Sequence, residues 1–136
     1  MADKSVVLRW TGEGDRFEGN APGGPISALD GSGVAAPSPM DGLLLSLAGC
    51  MGIDILMILQ KGRVVVDDLE IAVEGDRAEE PPRRFTSLLM TVRVTGPSEA
   101  DVGKIQRAVD LSRDRYCSVF HTLRTDLDVR IDVERR

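Results

Sequence analysis

Cys50 and Cys117 are the only two sulfhydryls in the 136-residue chain, and they stand 67 positions apart. That distance rules out any CxxC motif, so whatever the pair does depends on folding rather than on local spacing. A thiolate is a nucleophile and a redox centre; an unactivated cysteine is a small hydrophobe and is often simply buried. The flanking residues bear on which applies. Gly42, Ser46, Cys50 and Asp54 recur every four residues and therefore share one side of a helix. This places Cys50 in a small, partly polar stripe. Cys117 sits in RDRYCSVFH, with Arg107, Arg113 and Arg115 close in sequence, and a nearby cation favours the thiolate. Asp54 acts against this, because a carboxylate beside a thiol raises its pKa. An activating cation for Cys50 must then come from another part of the fold, with Arg16 and Arg84 as candidates. His121, four residues after Cys117, either faces that thiol on a helix or makes a local hydrogen bond near the surface. With two cysteines and one histidine, a zinc site would need carboxylates to complete it, and on that ground no metal is expected.

These residues need elements to hold them. SPMDGLLLSLAGCMGIDILMILQKGR, residues 38–63, reads as one long helix. Ser38 suits the N-cap, Pro39 the first turn, and Asp41 the third position, where a carboxylate meets the positive helix end. Leu43 to Leu59 is apolar nearly all round, which predicts a helix buried on most sides. Its glycines at 42, 49 and 52 imply a close neighbour, since glycine costs ~1 kcal/mol in a helix interior. As a membrane span the run is expected to fall short of the ~20 residues a bilayer needs, interrupted as it is by Asp54 and two glycines.

Ahead of this helix, Lys4–Trp10, Arg16–Gly19 and Pro25–Leu29 read as short strands separated by the glycine-rich turns TGEGD and NAPGG. DGSGVAAP, residues 30–37, is a connecting loop. After it, Asp68–Gly75 and Arg84–Thr95 alternate as an antiparallel strand pair. A second, amphipathic helix starts at Ser98 and runs to about Arg115, with Val102, Ile105, Ala108, Val109 and Ser112 on its core side. Tyr116–His121 is an irregular turn or a short helix, and Leu127–Val133 alternates as the last strand. The order is that of a single-domain α+β fold over residues 1–136. A central helix this apolar needs more cover than one face of a six-strand sheet provides, which points to a second subunit as an isologous homodimer.

The composition bounds the partners. The chain is 42% hydrophobic and 29% charged, with net charge −5 and only 4% aromatic residues. This is the balance of a globular protein with an aliphatic core, and it lacks the basic surface that nucleic acid requires. The opening MADKSVVLRW has no apolar signal-peptide stretch, so the expected compartment is the cytoplasm, where cysteine pairs are more often catalytic or redox-sensing than structural.

Three segments together, SPMDGLLLSLAGCMGIDILMIL, PPRRFTSLLMTVRVTG and IQRAVDLSRDRYCSVFHTLR, resemble the OsmC/Ohr family of hydroperoxide-reducing proteins, in its short OsmC-like branch. The resemblance covers nearly the whole chain. It implies an intertwined homodimer with long central helices packed between antiparallel sheets, and a thiol peroxidase site at the subunit interface. Carried over by position, Cys50 is the peroxidatic cysteine and Cys117 the resolving one. The implied cycle passes through a Cys50 sulfenic acid and a Cys50–Cys117 disulfide to reduction by a dithiol, such as a lipoylated protein. No cofactor is implied, and no nucleic acid or membrane partner. The family's peroxidases carry a Glu ten residues before the first cysteine, which holds an arginine of the N-terminal hairpin against the thiolate. Here that place is Met40; Asp41 stands next to it as a substitute or as a plain helix cap, and Arg16 is the arginine that matches by order. The departure leaves two specific functional readings, a hydroperoxide reductase or a non-catalytic dimer that binds a small apolar or thiol ligand, beside a plain structural or interaction dimer with no pocket.

Overall fold

A computed structural model describes residues 2–136. It has six strands and three α-helices in the order β1 (Val7–Trp10), β2 (Arg16–Asn20), β3 (Ser27–Asp30), α1 (Pro39–Lys61), β4 (Asp68–Arg77), β5 (Phe85–Thr95), α2 (Val102–Leu111), α3 (Ser118–Thr122), β6 (Asp128–Arg135). The chain divides into two compact units, one ending at Leu45 and the other starting at Ser46.

The N-terminal unit is a three-stranded antiparallel meander in the order β1-β2-β3, with Trp10 opposite Phe17 and Phe17 opposite Leu29. Its strands are those expected from the sequence with shifted ends: β1 starts three residues later, β2 runs one residue further to Asn20, and β3 starts two residues later and ends one later, at Asp30. Gly19 is required where β2 meets β1: a Cβ built there would lie 1.9 Å from the Val7 carbonyl oxygen. The Asp30 carboxylate orders the loop that follows, accepting from the Ser32 N–H at 2.9 Å, the Ser32 hydroxyl at 2.8 Å and the Ala35 N–H at 2.9 Å. Those bonds, the Ala35 one foremost, hold its carboxyl below the usual carboxylate range.

The C-terminal unit holds the core. β4, β5 and β6 form a second three-stranded sheet in that order. Leu69, Ile71 and Val73 of β4 stand opposite Val94, Val92 and Met90 of β5. Two expectations are corrected here. The six strands make two sheets of three rather than one of six, and β6 runs parallel to β5, so the second sheet is mixed rather than wholly antiparallel. The reason is the connection: α2 and α3 intervene between β5 and β6, and such a crossover returns the chain to the same end of the sheet. Leu88, Met90, Val92 and Val94 are buried along β5, and Ile105, Ala108 and Val109 along α2. Val102 departs from its expected place on the core face and is exposed.

Helix α1 begins as read. The Asp41 N–H donates to Ser38 Oγ at 3.2 Å, so Ser38 is the cap. Along the helix Leu47, Met51, Ile55 and Leu59 are fully buried, a stripe spaced by four. Each buried side chain of this size contributes ~1.5–3 kcal/mol of hydrophobic stabilisation. The opposite side is not covered within one chain: Leu45 is 61% exposed, Ile53 62% and Met57 50%. The glycines divide accordingly. A Cβ at Gly52 would lie 2.9 Å from Ile71 Cδ1, and one at Gly42 3.3 Å from Leu29 Cδ2, whereas one at Gly49 would meet nothing within 4 Å. The expected membrane shortfall is also corrected. By length and composition alone the 23-residue helix suffices to cross a bilayer, since its most apolar 18-residue window has mean hydropathy 2.2.

Candidate active site

Folding brings the two cysteines together within the C-terminal unit. Cys50 and Asp54 lie one turn apart on α1. Cys117 arrives from α2, which stops at Leu111, short of the expected Arg115, and continues as one wide π turn over Ser112–Tyr116. The Cys117 N–H closes that turn on the Ser112 carbonyl at 2.8 Å. At Cys117 the backbone becomes extended and α3 starts, with Cys117 as its N-cap and its Sγ accepting from the Phe120 N–H at 3.3 Å. Interruptions of this kind re-aim a side chain, and π turns recur at functional sites.

The result is a compact cluster. Cys50 Sγ, Cys117 Sγ and a carboxylate oxygen of Asp54 all lie within 4.8 Å of one another. Ser112, fully buried, donates its hydroxyl to Asp54 Oδ2 at 2.9 Å. Ser118 Oγ stands 3.8 Å from Cys50 Sγ. Cys117 is fully buried, while Cys50 and Asp54 are half-buried and open to solvent on one side.

The two thiols differ in acidity. For Cys50, burial is the largest single influence and pushes its pKa up. The Val119 N–H, the Cys117 thiol and the Ser118 hydroxyl together outweigh burial and the Asp54 charge, and the net shift is downward from 9.0. Cys117 moves the other way, to about 11, chiefly through burial and then because the Cys50 and Asp54 charges disfavour a second anion. The arginines expected to acidify Cys117 do not have that effect. Arg113 is held by Asp114 at 2.8 Å and Asp110 at 3.4 Å, and the adjacent carboxylates take up its charge. Arg84 donates to the Phe85 carbonyl at 3.1 Å. His121 is exposed, with its ring edge-on to Phe120 at 5.6 Å.

Arg16 and Asp41 belong to the N-terminal unit. Arg16 pairs with Glu18 at 3.6 Å, and its buried Nε has no hydrogen-bond partner among the described residues. Asp41 occupies the first turn of α1, its N–H on the Ser38 cap. The hydrogen-bonding groups around the thiols, Ser112, Ser118 and the Val119 and Phe120 N–H groups, escaped the sequence reading. Only the proximity of Ser118 to Cys117 hinted at one of them. The carboxylate that a metal site would have needed is present as Asp54, which removes the ground on which a metal was discounted.

A cavity of about 460 Å³ adjoins the cluster on the Asp54 side, lined by Asp54, Met57, Ile58, Lys61, Leu111 and Tyr116. Another, of about 510 Å³, lies at the sheet around Glu74, Asp76, Asp128 and Arg130 and includes neither cysteine.

Residues 30–132 match the family model for OsmC-like protein. Protein YhfA of Escherichia coli K12 is 44% identical over 113 residues, which are 82% of this chain and 83% of that one. A hypothetical protein from Aquifex aeolicus VF5, solved by crystallography, is 27% identical with a TM-score of 0.87, covering 100% of this chain and 98% of that one. The organic hydroperoxide resistance protein OhrB of Bacillus subtilis shares the fold at 17% identity and a TM-score of 0.62, with 98% of each chain covered.

Proposed function

The chain belongs to the OsmC-like protein family, and from that membership we propose that it is a cysteine-based peroxidase that reduces organic hydroperoxides. The observation that carries this reading is the pair of sulfurs within 4.8 Å, the more acidic one being the more accessible. The Cys50 thiolate attacks the terminal oxygen of ROOH. The O–O bond breaks, Cys50 becomes a sulfenic acid, and the alkoxide leaves as ROH after taking a proton from solvent. The Cys117 sulfur, losing its proton, then attacks Cys50 and expels water, and a Cys50–Cys117 disulfide results. A dithiol reductant, with lipoylated protein as the candidate class, returns both thiols. Thiolate support at Cys50 comes from the α3 start, through Ser118 and the Val119 N–H, where Met40 offers no carboxylate to position an arginine. Arg16 and Asp41 are the residues proposed to complete the site.

We read the protein as a cytoplasmic homodimer with neither a nucleic-acid nor a membrane partner. The net charge of −5 supports the first exclusion. Against a lipid environment for α1 stands its packing, with one stripe in the protein core and Asp54 hydrogen-bonded to Ser112 of the turn that follows α2. The cavity next to Asp54, with Met57, Ile58 and Leu111 in its wall, favours a second reading in which the dimer holds a small apolar or thiol ligand without turnover.

Treating the reduced protein with a slight excess of an alkyl hydroperoxide, quenching within seconds and mapping the thiols by mass spectrometry separates the two. The peroxidase gives one Cys50–Cys117 disulfide within a chain. Cys117→Ser leaves a trappable sulfenic acid at Cys50, and Cys50→Ser abolishes turnover. Two free thiols after exposure reject the peroxidase and leave the ligand-binding dimer.

A further inference from the structure

We propose that Cys50, Asp54 and Cys117 form a binding site for a thiophilic divalent cation, Zn²⁺ by the chemistry of its donors, with three protein ligands and an open fourth position. The geometry leads to this. A tetrahedral zinc with Zn–S of ~2.3 Å and Zn–O of ~2.0 Å spaces its donors ~3.5–3.8 Å apart. Three donors that all lie within 4.8 Å of one another need only small side-chain rotations to meet that spacing. Two sulfurs with one oxygen is a set that selects zinc over the hard cations Ca²⁺ and Mg²⁺, which take oxygen alone.

Two of the three ligands carry a hydrogen bond of the kind that orients a metal ligand. Ser112 holds Asp54 Oδ2 at 2.9 Å, which restrains the rotation of the carboxylate beside the two sulfurs. The Phe120 N–H points at Cys117 Sγ at 3.3 Å, and the Ser118 hydroxyl lies 3.8 Å from the third donor, Cys50 Sγ. Ser112 is fully buried, comes from a different element than Asp54 and takes no part in the peroxidase steps. Two thiolates and a carboxylate carry three like charges that a dication offsets. The half-buried faces of Cys50 and Asp54 give an ion its way in.

The test uses the full-length reduced chain with no hydroperoxide present, so its outcome is independent of the peroxidase reading. Zn²⁺ is titrated in competition with a chromogenic chelator, and Co²⁺ replaces it for spectroscopy. One Zn²⁺ per chain is expected, together with a thiolate-to-cobalt charge-transfer band in the near ultraviolet. Replacing both cysteines, Cys50→Ser with Cys117→Ser, abolishes both signals. Asp54→Asn is expected to weaken Zn²⁺ by at least about tenfold, the lower end of what losing even an outer partner costs. Ser112→Ala does the same to a smaller extent. Unaltered affinity in folded Asp54→Asn overturns the proposal. So does a wild-type cobalt complex without the thiolate band, a reading that requires no variant to fold.

Discussion

The thiols at this site are unequal because one helix start serves both. Cys117 is the N-cap of α3 and keeps its own sulfur on the Phe120 N–H, while Ser118 and the Val119 N–H face Cys50. Burial then separates them further, since the fully enclosed Cys117 has no water to stabilise its anion. The sign of the pH dependence follows. Cys50, lowered from 9.0, ionises first; Cys117, at about 11, stays protonated throughout the neutral and mildly alkaline range. Iodoacetamide labelling from pH 6 to 10 is therefore expected to modify Cys50 with a midpoint below 9 and to spare Cys117 until strongly alkaline conditions. Asp54 raises both pKa values, so in the presence of chelator Asp54→Asn should label Cys50 severalfold faster near pH 7. Labelling of Cys117 ahead of Cys50 would contradict this assignment. The sequence carried part of this picture. Asp54 read correctly as a group that opposes ionisation, because helical spacing alone sets it one turn from Cys50. The arginines around Cys117 read wrongly, because a cation's effect depends on its nearest carboxylate, and Asp110 and Asp114 hold Arg113.

At the scale of elements, the site depends on α1 presenting different stripes to different surroundings. Leu47, Met51, Ile55 and Leu59 anchor one stripe in the core, and Cys50 and Asp54 lie beside it at fixed rotation. Ile55→Ala removes a fully buried side chain next to Asp54 and is expected to cost ~2–5 kcal/mol of stability, measurable by urea unfolding. Because Ile55 is apolar and donates no hydrogen bond to either sulfur, the Cys50 labelling midpoint should stay in place in the folded fraction; a loss under ~1 kcal/mol would mean the core relaxes around the gap. The helix itself was plain in the sequence, from the Ser38 cap to Lys61, because capping and apolar patterning are local. The same holds for β4 and β5, whose alternation survives in the register from Asp68 to Asp76, with a shift only between Asp76 and Arg77. The direction of β6 was not legible. Alternation shows which face a strand buries but not which neighbour it pairs with, and that is decided by the α2–α3 crossover. Nor was the π turn: SRDRY continues the helical pattern of α2, and only the tertiary demand that Ser112 reach Asp54 and Cys117 reach Cys50 distinguishes it.

The whole molecule, taken as a single chain, leaves large apolar side chains exposed along α1, and the homodimer proposed above would cover them. Leu45, Ile53 and Met57 line the open side of α1, with Gly49 among them providing a flat place for another backbone. In the N-terminal unit Val7, Leu8, Trp10 and Phe17 are all at least 40% exposed on so small a sheet. Exposed apolar stripes such as that of α1 are the kind of surface a protein partner covers. A lipid-facing helix would be apolar on every free side, whereas α1 has one stripe in protein and a polar one at Cys50 and Asp54, so a second copy is the better occupant. Obligate homodimers bury ~2,000–5,000 Å² and often have no stable folded monomer. The expected outcome is a dimer by sedimentation in detergent-free buffer at micromolar concentration. Ile53→Asp sets a charge in the middle of the open stripe of α1, at a residue that the monomer leaves 62% exposed. If the dimer forms there, this change is expected to drive the protein to monomer or to aggregate and to lower its melting temperature by about 7 °C or more, on the order of 2 kcal/mol for a chain of this length. The same substitution on a surface meant for solvent would shift stability by less than ~0.5 kcal/mol and leave the sedimentation unchanged. The sequence indicated a partner through the all-round apolarity of α1, and Ile53→Asp tests whether the open stripe is where that partner sits.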